Sequence, residues 1–257
     1  MSEQTGGTTP TLDIQGRIAT ITLRRPAVAN RLEIEDLLTL RTQIEQVNAS
    51  SDVLVLRLTA LGKHFCSGFN IGRLEQGAAP GPMFEALAGA IEQARPVTVA
   101  ALRGGVYGGG TDLALACDFR IGTSQSEMVV PAARLGLLFY RGGMERFVTR
   151  LGLGNAKRIM LCAEKLDAAA MLECNYLDRV IDNPDELQAN VDALSQSLAA
   201  MAPLALLGMK KHLNRIAAGT LDAQQLAEDI RVADASADVQ EGARAWKEKR
   251  PAMFLGC

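Results

Sequence analysis

The sequence predicts an α/β core built on parallel strands, followed by an appendage of helices. Three observations predict it. Apolar runs of strand length alternate with helical spacing for about 180 residues, the pattern of a parallel sheet covered by helices. Beyond Pro184 the pattern is helical almost to the end. The chain has 257 residues, enough for a full core without disulfide or metal staples. The division that follows is a core over 1–200 and a helical region over 201–257.

Each element has a local reason. Ile14, Ile18, Ile21 and Leu23 mark two short strands around a turn at Gln15-Gly16, and Arg24-Arg25-Pro26 stops the second. Leu37, Leu40, Ile44 and Val47 recur at helical spacing within 32–47, with Glu33, Glu35 and Asp36 in the first turn, where acids complement the helix dipole. Val53–Leu58 reads as a buried strand. The GAAPGP stretch at 77–82 is a connection before a short helix over 84–94. Pro96 opens a strand at Val97–Leu102, which runs into five glycines within positions 104–110. A helix of small and apolar residues resumes at Thr111–Ala116, and Phe119–Gly122 is a further strand. Helices follow at 144–151, 155–161, 185–201, 204–218 and 221–235.

Composition narrows the function. Lys plus Arg number 27 and Asp plus Glu 29, a net charge of −2 that offers no sign of the basic face duplex binding needs. Aromatics are 4%, too few for base-stacking platforms. No nucleic-acid partner is expected. No apolar run approaches the ~18 residues that span a bilayer, and VLVLRLTAL is interrupted by Arg57. Five cysteines are scattered without CxxC spacing, which favours a reducing compartment. The expectation is a cytoplasmic protein without membrane contact. With two histidines, His64 and His212, and no zinc-site spacing, no metal is expected. The glycine loop fits neither the dinucleotide fingerprint nor the P-loop, and no Gly-x-Ser-x-Gly elbow occurs.

Two segments carry the chemistry. Lys63-His64-Phe65-Cys66-Ser67-Gly68-Phe69-Asn70-Ile71 and Arg103-Gly104-Gly105-Val106-Tyr107-Gly108-Gly109-Gly110-Thr111-Asp112 each follow a strand end, where open α/β sheets place ligands. The second runs into a helix N-terminus, whose unpaired N–H groups favour an anion. Tight strand–helix packing would demand the same glycines.

Together these segments resemble the crotonase, or enoyl-CoA hydratase/isomerase, superfamily. The likeness runs from Ile18 to Phe254. It includes Leu23-Arg24-Arg25-Pro26 with Asn30, the Phe-Cys-Ser-Gly-Phe-Asn-Ile stretch, the triple-glycine loop ending in an acid, and Ala116-Cys117-Asp118. Leu135-Gly136 with Gly142-Gly143, and Glu241-Gly242 with Glu248-Lys249-Arg250 and Phe254, extend it. The resemblance implies a spiral of repeated ββα units whose helical tail forms a homotrimer or hexamer; from the pattern alone, the tail could equally cap its own core. It implies an acyl-CoA thioester as substrate, with coenzyme A arriving as part of the substrate and no permanently bound cofactor. Carried over by position, the backbone N–H groups of Phe69 and Gly109 form an oxyanion hole for a thioester enolate. The coenzyme A body lies along Arg24, Val28 and Ala29 and along Ser67, Gly68, Asn70 and Ile71. Asp112 is the candidate base and Tyr140 a candidate hydrogen-bond donor.

One position departs from the family. The second acid of a two-carboxylate hydratase maps onto Ala132, which transfers no proton, so ordinary paired-carboxylate hydration is not expected. Hydration, double-bond shift, decarboxylation and thioester hydrolysis stay open, as does acyl-CoA binding without turnover. Glu145, His64, Cys66 and Cys117 have ready structural roles.

Overall fold

The computed structural model describes residues 7–70 and 81–257. The chain enters through a hairpin, β1 (Thr11–Gln15) and β2 (Ile18–Leu23), paired antiparallel across the turn at Gln15 and Gly16. Helix α1 (Ile34–Ala49) then crosses to β3 (Val55–Ala60). The order continues α2 (Gly81–Glu92), β4 (Val97–Leu102), β5 (Gly105–Tyr107), α3 (Gly109–Ala116), β6 (Phe119–Thr123) and β7 (Glu127–Val129). Helix α4 (Arg141–Leu161), β8 (Leu166–Asp167), α5 (Ala168–Glu173) and β9 (Arg179–Ile181) complete the α/β part. Helices α6 (Leu187–Ala199), α7 (Pro203–Ala217), α8 (Ala223–Asp234) and α9 (Ala237–Glu248) follow.

Two sheets form the frame. The larger has the order β1-β2-β3-β4-β6-β9, parallel from β2 onward. The smaller has the order β5-β7-β8, with β5 and β7 parallel. The chain steps from the large sheet to the small one and then into a helix, as β4-β5-α3 and again as β6-β7-α4. The first such step is an isolated bridge, Cys66 to Val106, between β3 and α2. These repeats wind the molecule as a ββα spiral.

The core sits on both faces of the large sheet. All six residues of β4 are buried, as a strand covered on both sides requires. One face packs Ile21, Leu23, Leu56 and Leu58 with Leu40 and Ile44 of α1 and Leu113 of α3. The other packs Val55, Val99 and Ile121 under Leu187 and Val191 of α6. Helix α7 also touches the core: Lys210 Nζ donates to Pro96 O at 2.5 Å and pairs with Asp118 at 2.8 Å.

Three details differ from the sequence pattern. The helices expected at 144–151 and 155–161 are one longer element, broken at Gly152, where φ of 79° and ψ of 155° leave the helical region. Helices α5 and α9 lie outside the expected set, α5 because six residues are too few to show a period and α9 because its sequence is mostly polar. The strands β5, β7, β8 and β9 have two or three residues each, too short for periodicity to register.

Candidate active site

The two chemistry-bearing segments lie side by side. Phe65 N donates to Gly105 O at 3.0 Å and Tyr107 N to Cys66 O at 2.8 Å. At their ends the backbones approach so closely that a Cβ on Gly68 would lie 2.8 Å from Gly109 N and 3.0 Å from Tyr107 O. Gly68 also has φ of +82°, so a side chain is excluded twice over. Among the described residues, neither the Phe69 nor the Gly109 amide donates to a protein acceptor. Gly109 is the first residue of α3, where an N–H has no intrahelical partner. The Phe84 ring packs on it, 2.6 Å from where a Cβ on Gly109 would sit.

The loop 26–32 supports this junction. Ser67 N donates to Ala29 O at 2.9 Å, Leu32 N to Gly68 O at 2.8 Å, and Asn70 N to Leu32 O at 3.1 Å. Ser67 Oγ reaches Val28 O at 3.4 Å. Asn30 ties the loop together. Its Oδ1 accepts from Arg25 N, and its Nδ2 donates to the carbonyls of Leu61 and His64, all at 2.8 Å. The two adjacent arginines separate by role. Arg25 is buried and bound to the Asp36 carboxylate, with a further contact to Glu35. Arg24 is exposed, and Val28 and Ala29 are half-buried. The structure thus gathers Val28, Ala29, Ser67, Gly68, Phe69 and Asn70 at one edge, with no bond joining Arg24 to them among the described residues, while Ile71 lies outside those residues.

Asp112 and Tyr140 are brought together across 28 positions. The Tyr140 hydroxyl donates to Asp112 Oδ2 at 2.6 Å. Arg146 grips the same carboxylate with two bonds, Nε to Oδ1 at 2.9 Å and Nη2 to Oδ2 at 2.6 Å. Asp112 is 0% exposed. Three donors on two oxygens satisfy the carboxylate, as a buried charge requires. Burial, and then the Asp112 charge, push the Tyr140 phenol far above its ordinary range. Burial alone would lower the Arg146 guanidinium; the bonds to Asp112 and its charge, with Glu92, turn the net shift upward. Tyr140 also stacks on Phe139 at 4.7 Å. Ala132 is half-buried at the start of a 3-10 turn, Ala132–Leu135.

The remaining sequence candidates have structural partners. His64 Nδ1 accepts from Gly105 N at 3.0 Å. Glu145 is exposed and pairs with Arg141. Cys66 and Cys117 are buried, and burial pushes each thiol up to about 12. Among the described residues no group of three or more His, Cys, Asp or Glu side chains is placed to hold a metal ion.

Sequence reasoning missed Arg146, Phe84 and Glu85. One signal pointed to the first: a lone aspartate in the small, apolar helix Gly109–Ala116 must be buried, and a buried carboxylate needs a cation. Glu85 Oε1 accepts from Gly142 N at 2.8 Å. With Phe84 on Gly109 and Tyr140 on Asp112, the first turns of α2, α3 and α4 meet at one place. Grooves of about 790 and 940 Å³ run along α7, away from Phe69 and Gly109.

The family model described as enoyl-CoA hydratase/isomerase matches residues 13–256. The chain belongs to that family. Its fold is the crotonase fold, with two sheets and C-terminal helices. A crystal structure of an enoyl-CoA hydratase from Bacillus anthracis superposes with a TM-score of 0.88 at 26% identity, covering 97% of this chain and 100% of that one. The chain is 29% identical to the short-chain-enoyl-CoA hydratase of Clostridium acetobutylicum over 79% of its length and 80% of the relative's. It is 26% identical to the peroxisomal Delta(3,5)-Delta(2,4)-dienoyl-CoA isomerase of Arabidopsis thaliana, over 75% of this chain and 76% of that one. Enoyl-CoA hydratase/isomerase relatives named for two different reactions thus stand at similar distance. Among the described residues no single helix is long and apolar enough to cross a membrane.

Proposed function

We propose that this enoyl-CoA hydratase/isomerase family protein binds an acyl-CoA thioester with its carbonyl oxygen between the amides of Phe69 and Gly109, and stabilises the enolate formed there. One observation carries this reading: two N–H groups without protein acceptors among the described residues, one following Gly68 and one opening α3, lie on segments whose backbones touch at Gly68 and Gly109. Donors held in place before charge develops need no reorganisation, and removing one such donor in acyl-transfer enzymes costs about 10²–10³ in kcat. The partial positive charge at the start of α3 adds to the stabilisation.

The coenzyme A body lies along Arg24, Val28, Ala29, Ser67, Gly68, Asn70 and Ile71. Exposed Arg24 is the residue suited to a phosphate, since Arg25 is committed to Asp36. Asp112 serves by holding Tyr140 and Arg146 rather than by taking a proton, because its oxygens already carry three donors. With alanine at 132, two-carboxylate hydration has no second acid. A double-bond shift, which asks for one proton carrier, fits better.

Decarboxylation of a malonyl-type thioester is the second reading. It is favoured by the saturation of Asp112, since loss of carbon dioxide forms an enolate without a base. Assembly as a homotrimer or hexamer would use the C-terminal helices, where Met209, Leu213, Ile216, Ile230 and Trp246 stay exposed in the single chain.

The test is a panel of crotonyl-, 3-hexenoyl-, malonyl- and butyryl-CoA, with binding read by calorimetry and products by mass spectrometry. Conversion of 3-hexenoyl-CoA to the 2-enoyl isomer is the expected result. Release of carbon dioxide from malonyl-CoA alone selects the second reading, and release of free coenzyme A selects a hydrolase. Tight binding of every thioester without turnover would leave a binding protein, and no binding at all would refute the site.

A further inference from the structure

Enolate chemistry by a double-bond shift needs a group that takes a proton from one carbon and returns it to another. Neither expected position supplies it: residue 132 is alanine, and the Asp112 carboxylate is buried under three donors. Helix α2 presents two glutamates seven residues apart on the face toward α4. Glu92 is consumed by ion pairs to Arg146 and Arg150. Glu85 is not. Its Oε1 accepts the Gly142 N–H at 2.8 Å, and among the described residues it forms no ion pair and its second oxygen has no partner. It is half-buried. Its neighbour Phe84 lies on Gly109, and the amide it accepts from is two residues past Tyr140. Glu85 therefore joins the start of α2 to the first turn of α4, next in sequence to the ring that covers Gly109 and against the turn that follows Tyr140.

We infer that Glu85 is the proton carrier of this site. The inference rests on the enolate reading above. The Glu85 carboxylate takes a proton from the α-carbon of a 3-enoyl thioester, breaking C–H and forming O–H. The C–H electron pair passes into the dienolate, whose oxygen lies between the amides of Phe69 and Gly109. The Glu85 carboxyl then delivers the proton to the γ-carbon, the carbonyl re-forms, and the double bond finishes between the α- and β-carbons. No atom is gained or lost and no co-reactant enters.

The experiment must separate this role from helix capping, since α4 has no side-chain cap of its own and Glu85 accepts one of its first amides. Glu85→Gln does so, because its amide oxygen still accepts the Gly142 N–H while the group no longer carries a proton. Two readouts are taken on the full chain: turnover of 3-hexenoyl-CoA, and exchange of the butyryl-CoA α-proton in deuterium oxide by NMR. The expected result is a fall of about 10²-fold or more in both with the melting temperature unchanged. Glu85→Gln at wild-type rates, or a loss that only tracks a fallen melting temperature, overturns the inference and leaves Glu85 as a cap. A wild-type protein that exchanges no α-proton overturns the enolate reading and this inference with it.

Discussion

Replacing Asp112 by asparagine distinguishes a structural carboxylate from a catalytic one. Asp112 is 0% exposed, and the Arg146 side chain bound to it is 5% exposed. Asp112→Asn removes the charge that faces a buried guanidinium and puts an N–H donor where an oxygen accepted. Breaking a buried pair from one side costs about 3–5 kcal/mol, because the surviving charge stays desolvated. Arg146 keeps Glu92 at 3.0 Å, a partner 27% exposed, so the lower end of about 3 kcal/mol applies here. Tyr140→Phe is the graded companion. It deletes a single hydrogen bond to the same carboxylate, with an expected cost of about 1.5–3 kcal/mol. The assay is urea denaturation at fixed protein concentration, because assembly would shift the apparent stability. Both midpoints should fall with the slope unchanged, Asp112→Asn further than Tyr140→Phe. An Asp112→Asn protein within about 1 kcal/mol of wild type that has lost turnover would refute the reasoning and return Asp112 to the role of base.

Gly109→Ala places a methyl group 2.6–2.8 Å from the Phe84 ring. It should lower stability by about 1–3 kcal/mol and shift the adjacent amide, cutting kcat far more than it raises KM; an unchanged kcat would count against that amide. Alkylation of the native protein near pH 8 should label the exposed thiols of Cys162 and Cys257 and spare Cys66 and Cys117, which burial holds at about 12; rapid loss of all five thiols would contradict the packing. Bonds from Arg250 and from the Met253 amide hold the Glu241 carboxyl at about 2, below its ordinary 4.5. A depressed carboxylate stabilises the fold above its unfolded value, and that contribution is lost as pH falls through the folded one. Hydrogen exchange at the Met253 amide should therefore lose protection between about pH 4.5 and 2; protection unchanged at pH 2 would show that the tail is held otherwise.

What the sequence revealed, and what it hid, follows from how far each feature reaches along the chain. Strand β4 is legible to the residue because six consecutive buried positions open at a proline and close at glycines. The hairpin of β1 and β2 is legible because its register is local. The two glycine-bearing segments announce themselves by composition, and their contact follows from both leaving parallel neighbours, β3 and β4, at the same end. Adjacent Arg24 and Arg25 look alike in sequence, and only the fold buries one against Asp36. Arg146 sits 34 positions from Asp112, and Glu85 57 positions from Gly142, so no local pattern joins either pair.

That contrast bears on how chemistry is distributed over this fold. The amides of Phe69 and Gly109 are backbone groups, one following Gly68 and one opening a helix, so the carbonyl site proposed for them would follow from the architecture and would tolerate wide change in side chains. The positions from which a side chain would reach such a site lie on α2, α3, the 3-10 turn and the residue that caps α4, at 85, 112, 132 and 140. Each can change without disturbing the amides, provided buried charges stay paired. Position 132 is alanine while Asp112 is paired with Arg146, and that combination keeps the buried charges balanced while it would leave neither position to transfer a proton. On the proposed reading, family membership would report on the carbonyl site, and the reaction would be decided by which carboxylate remains unpaired beside it.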